Sequence, residues 1–152
     1  MSETGLRVSV LHGVLMILAG MVLAGFPLTF HIAEQVYGQP MPMPVGGDAR
    51  GWMMAHLEGL MNGLLVIALA FATRIGGELK AGRERWLVPA LLVAGWGNVA
   101  ASILAPILGV RGMAFDSHAA NNLVTGLFTV ALVASFAAFY GVIAHLARRP
   151  QS

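Results

Sequence analysis

His56, Glu58 and Asn62 interrupt an apolar stretch that is long enough to cross a bilayer. Hydrocarbon offers no hydrogen-bond partner, so each of these groups must face protein, a cofactor or a substrate. Neutral imidazole is a ligand for haem iron, zinc and copper, and His56 lies about a turn and a half below the outer end of its span. The same ring could instead be satisfied by a carbonyl on the next helix. Glu58 and Asn62 are four positions apart and share a helical face turned away from that of His56, where they line a polar pocket or bond across helices. Gly59 and Gly63 fall on the face of His56 itself. That cleared stripe could take either a neighbouring helix or a flat macrocycle.

Asn98 is a second polar position at membrane depth and must find a partner, whereas Trp96 and Ser102 read as packing residues. Asn121 and Asn122 suit the N-cap of a helix. His12 and His145, towards the inner ends of their spans, read as interfacial and solvated. His31 and His118 belong to the outer side with His56, and Met41, Met43, Met53 and Met54 would add thioethers suited to Cu(I). The signal for such a metal centre is weak, because no helix carries an HxxxH pair. Catalytic serine triads and Gly-rich phosphate loops find no counterpart.

The elements that must hold these residues follow from composition. With 57% hydrophobic and 11% charged residues among 152, the chain is far more apolar than a soluble domain, where about 25% are charged. Four apolar runs, Val8 to Phe30, Gly51 to Thr73, Trp86 to Leu108 and Asn121 to Leu146, each reach the ~20 residues of a membrane-spanning helix. The first exceeds the apolar core of a signal peptide and reads as a retained span. The predicted fold is an all-α membrane protein, one domain over residues 1–152, with four helices in an antiparallel up-down bundle joined by mostly short links. The first outer connection, about His31 to Arg50, is longer and Pro-rich from Gln39 to Val45, which suits either an ordered lid or a flexible turn.

Charge sets the expected orientation. If the helices alternate, Arg7, Arg74, Lys80, Arg83, Arg85, Arg148 and Arg149 share one face, against Arg50 and Arg111 on the other. The positive-inside rule then places both termini in the cytoplasm, with a bacterial inner membrane as the expected location. The formal charge of +2 is spent at helix ends, so nucleic acid is not an expected partner. The absence of cysteine excludes disulfides and thiolate ligands, including a Cys-ligated haem.

Three blocks of sequence resemble the styrene oxide isomerase family of small four-helix membrane enzymes. The most specific runs Gly51-Trp52, two further residues, Ala55-His56, Leu60, Asn62-Gly63, Val66-Ile67-Ala68 and Ala70-Phe71. The second is Gly95-Trp96-Gly97-Asn98-Val99 with Arg111-Gly112 and Phe115, and the third is His12-Gly13 with Leu15-Met16-Ile17. Where the family has an aspartate before the Gly-Trp of the third span this chain has Ala94, where it has a tyrosine further along this chain has Ser102, and Glu58 is not the usual residue at its position.

The resemblance implies a homotrimer binding haem b, with ferric iron held by one axial histidine at the position of His56. It further implies an open iron site that takes the epoxide oxygen as a Lewis acid, so that an aryl epoxide such as styrene oxide rearranges to the aldehyde. Asn62 matches a pocket residue of the family, and Asn98 is a second candidate for positioning substrate; Gly59 and Gly63 are candidate cofactor contacts. Two other classes stand beside this reading. A haem protein for electron transfer or sensing would need a sixth ligand, for which only His31 and His118 are available, and a cofactor-free structural subunit would reduce His56, Glu58 and Asn62 to interhelical bonds.

Overall fold

A computed structural model of the protein describes residues 1–40 and 45–148. The described residues form helices and no strand. Helix α1 (Glu3–Ala19) runs through a π-helical turn (Gly20–Ala24) directly into α2 (Gly25–Tyr37), giving one 35-residue rod. Helices α3 (Ala49–Ile75), α4 (Ala81–Leu108) and α5 (Ala119–Leu146) complete four segments long and apolar enough to cross a membrane.

The first rod overruns the predicted Val8 to Phe30 at both ends, because its stops are polar caps that lie beyond the apolar run. Ser2 Oγ accepts the amide of Gly5 at 3.0 Å at one end, and Gly38 closes the other in the left-handed region at φ 64°. His31 accordingly sits in α2 and not in a connection, and the link to α3 shortens. The described end of that link is anchored: Trp52 Nε1 donates to the Gly46 carbonyl at 2.6 Å, and Asp48 Oδ1 caps α3 through the Gly51 amide. Met41 and Met43 lie outside the described residues.

The π turn has local causes. Gly20 and Gly25 bracket it, and Pro27 follows two residues later, where its ring would collide with the Leu23 carbonyl of a straight helix. An α-helix widened by one residue here lets the chain continue without a break.

Helix α5 begins at Ala119, so Asn121 and Asn122 are not its caps. They hold the preceding loop instead. Asn121 Oδ1 accepts the Gly112 amide at 2.9 Å, its Nδ2 donates to the Ala114 carbonyl and to Asp116, and Asn122 bonds both the amide and the carbonyl of Asp116.

Helix α3 packs against every other helix, α4 and α5 pair along their length, and α1 and α5 do not meet. Close approach between the first two spans rests on small residues. A Cβ on Gly20 would lie 2.8 Å from Gly59 Cα, and one on Gly13 would lie 2.7 Å from the Gly63 carbonyl oxygen. Apolar clusters fill the interior around Met16, Val66 and Val99, around Leu87, Leu91 and Val142, and around Ala24, Trp52 and Ala55. Only 22% to 39% of each apolar window is buried within the chain, so most of its apolar surface needs hydrocarbon or another apolar partner.

Candidate functional site

His56 lies two turns into α3, half-buried against the first rod. Its Nδ1 is 3.0 Å from the carbonyl oxygen of Gly20, the first residue of the π turn. That oxygen also accepts the amide of Gly25, five residues on, so the π turn and the histidine share one acceptor. A carbonyl can only accept, which puts the ring proton on Nδ1 and leaves Nε2 with a free lone pair. The absence of a side chain at Gly25 makes room for the ring: a Cβ there would stand 3.3 Å from Nδ1.

A haem group, implied by the resemblance, asks for a neutral imidazole with one nitrogen free and the other fixed by a backbone or carboxylate acceptor. His56 fits that demand. Ser102 is 3% exposed, and its Oγ has no hydrogen-bond partner among the described residues. Such an orphan costs about 1–3 kcal/mol unless something meets it.

Gly59 and Gly63, the expected cofactor contacts, pack on the first rod. The stripe beside His56 is filled by the backbone of α1 and the π turn, at Gly13 and Gly20, so it admits a helix and has no room for a flat ring. These glycines therefore hold α3 close enough to the π turn for His56 to reach the Gly20 carbonyl.

The polar residues on the other face of α3 form one chain. Asn62, which is buried, donates from Nδ2 to Glu58 Oε2 at 2.6 Å and to the Glu58 carbonyl at 2.9 Å. Its Oδ1 accepts from Asn98 Nδ2 of α4 at 3.1 Å. The link joins the second and third spans, and Asn98 Oδ1 takes no partner among the described residues. Asn98 and Ser102 are one turn apart on α4 and share a face. Asn62 also borders a crevice of about 10 Å³ with Ala94, Ser135 and Phe139, room for one water-sized group and far too small for an aryl epoxide.

Two histidines read as solvated are not. Trp96 Nε1 donates to His12 Nδ1 at 3.0 Å, with the rings edge to face, and His145 is buried with Nε2 3.1 Å from the Thr73 carbonyl. Hydropathy places such residues in depth but does not report a partner on another helix. His31, His56 and His118 do not gather, and no group of three or more His, Asp or Glu able to hold a metal ion occurs among the described residues. The thioethers of Met53 and Met54 belong to exposed side chains.

Residues 6–147, which include every residue of this site, match the family described as styrene oxide isomerase. The chain belongs to the styrene oxide isomerase family. A relative from Pseudomonas fluorescens named styrene-oxide isomerase is 30% identical over 110 residues, which cover 70% of this chain. The match spans 64% of the length of that relative. The matched residues include the His56–Gly20 contact and the Glu58–Asn62–Asn98 chain.

Proposed function

We propose that the protein is a haem-dependent isomerase converting an aryl epoxide such as styrene oxide to the aldehyde. The observation that carries this reading is the bond from His56 Nδ1 to the Gly20 carbonyl, which leaves Nε2 free to bind iron inside a chain of the styrene oxide isomerase family. Bound ferric haem b would supply a Lewis acid for the epoxide oxygen. The reaction is an isomerisation: the benzylic C–O bond breaks, hydrogen migrates to the adjacent carbon, the carbonyl forms, and no oxidant or reductant is consumed.

The chain's own residues bind, orient and exclude water. His56 would hold the iron, and the Gly20 carbonyl fixes its ring. Asn62 is pinned by Glu58 and in turn orients Asn98, whose free Oδ1 and remaining N–H are available to substrate. Apolar surroundings keep out water that would trap the developing cation as a diol. The crevice beside Asn62 is too small for an aryl epoxide, and the homotrimer that belongs to this reading would let a neighbouring copy complete the wall around substrate. The pairing of Gly13 with Gly63 and Gly20 with Gly59 supports an antiparallel course for the first two spans, and the excess of Lys and Arg supports cytoplasmic termini in a bacterial inner membrane.

Purified protein should show a haem Soret band and turn styrene oxide into phenylacetaldehyde with no added redox partner. Haem without turnover over a panel of aryl and alkyl epoxides would favour electron transfer or sensing, and a colourless active protein would remove the cofactor from the mechanism.

A further inference from the structure

A cavity of about 390 Å³ opens at the end of the bundle formed by the α3–α4 connection and the close of α5, away from His56. Its size falls in the ~300–1,000 Å³ range of small-molecule sites. Lys80, Arg83 and Arg148 converge on it from two elements far apart in sequence, facing a single carboxylate, Glu78. None of these three cations makes an ion pair or side-chain hydrogen bond among the described residues. His145 lines the same cavity and gives its Nε2–H to Thr73. Three cations brought together against one protein carboxylate leave an excess of positive charge that calls for an anion.

We propose that this cavity binds the phosphate headgroup of an anionic phospholipid. A free phosphate would satisfy the charges equally well, but two features point to lipid. Ile75, on the cavity wall, is 83% exposed at the last residue of a membrane-length helix, an apolar surface of no use to a small anion. Trp86, packed on Gly141, and Tyr140 are both exposed within a turn or two of the cavity, so the site sits at the level of an aromatic interface belt. Basic pockets between transmembrane helices at headgroup depth are the usual form of such sites. The inference does not depend on the haem reading.

The test uses the full chain in neutral detergent, titrated with phosphatidylglycerol, phosphatidylcholine or inorganic phosphate while thermal unfolding is followed. Phosphatidylglycerol should raise the Tm saturably, and the other two should leave it unchanged. Lys80→Gln, Arg83→Gln and Arg148→Gln should each weaken the apparent affinity about fivefold, Arg111→Gln on a different connection should leave it intact, and Glu78→Gln should strengthen it. The strengthening by Glu78→Gln keeps the test open if a charge-removing variant fails to fold. Equal shifts with phosphatidylcholine, or equal losses from Arg111→Gln, would overturn the site. A full shift with inorganic phosphate alone would reassign it to a soluble anion.

Discussion

His56 Nδ1 and the carbonyl oxygen of Gly20 lie 3.0 Å apart, and the oxygen is shared with the Gly25 amide that closes the π turn. A backbone distortion in one span thus sets the proton position on the histidine of the next span. π turns inside α-helices are frequent at functional sites, and here the reason is visible as a hydrogen bond.

His56→Ala should abolish most of the Soret absorbance of purified protein while far-UV circular dichroism stays helical. Exogenous imidazole should restore part of the band by occupying the emptied position. Full retention of haem in the variant would remove His56 as the ligand.

Gly25→Val places carbon beside Nδ1, where even a Cβ comes within 3.3 Å. The ring must turn away from the Gly20 carbonyl. Losing the outer partner of a ligating histidine costs about 10–100-fold in metal affinity, and haem titration of the variant should show a loss in that range. An unchanged affinity would mean that the shared carbonyl does not orient the ligand.

Asn98→Leu should keep the haem spectrum and lower kcat/KM for an aryl epoxide at least about tenfold, since Asn98 is the free end of the Glu58–Asn62–Asn98 chain. Asn62→Leu should cost stability as well, about 1–3 kcal/mol, because it strips the partner from Glu58 within the span. Kinetics and thermal unfolding on the two variants separate the roles. If Asn98→Leu turned over normally, the chain would be interhelical bonding alone.

Asn121→Ala removes the bonds that tie the loop before α5 to Gly112, Ala114 and Asp116. A destabilisation of about 1–3 kcal/mol should follow, measured by thermal unfolding in detergent, with haem content unchanged in the protein that remains folded.

The four spans were legible because charge and apolarity alternate along the chain at membrane length: the predicted Gly51 to Thr73 became Ala49–Ile75, and Asn121 to Leu146 became Ala119–Leu146. The long first rod was not, since Ser2 and Gly38 stop it through capping, outside the reach of a hydropathy window. His56, Asn62 and Asn98 stood out as polar groups in apolar helices, and the structure joins the last two directly. The partner of His56 left no such mark, because the group it meets is a backbone carbonyl. Gly20, Gly25 and Pro27 together were the available hint of a rearranged turn. The pairing of His12 with Trp96 depended on the packing of the first span on the third, which no local pattern encodes.

A π turn inserts one residue while the rod keeps its direction, so it swings everything after it by ~100° relative to an uninterrupted α-helix. Leu28 packs beside Trp52 and Ala55 only in that rotated setting. Deleting a single residue such as Val22 would therefore leave composition and hydropathy almost untouched, yet it would turn the outer third of the first rod onto the wrong face. Between Gly20 and Ala24 the residue count matters as much as residue identity, and an alignment gap of one position there would mark a relative whose histidine is held differently.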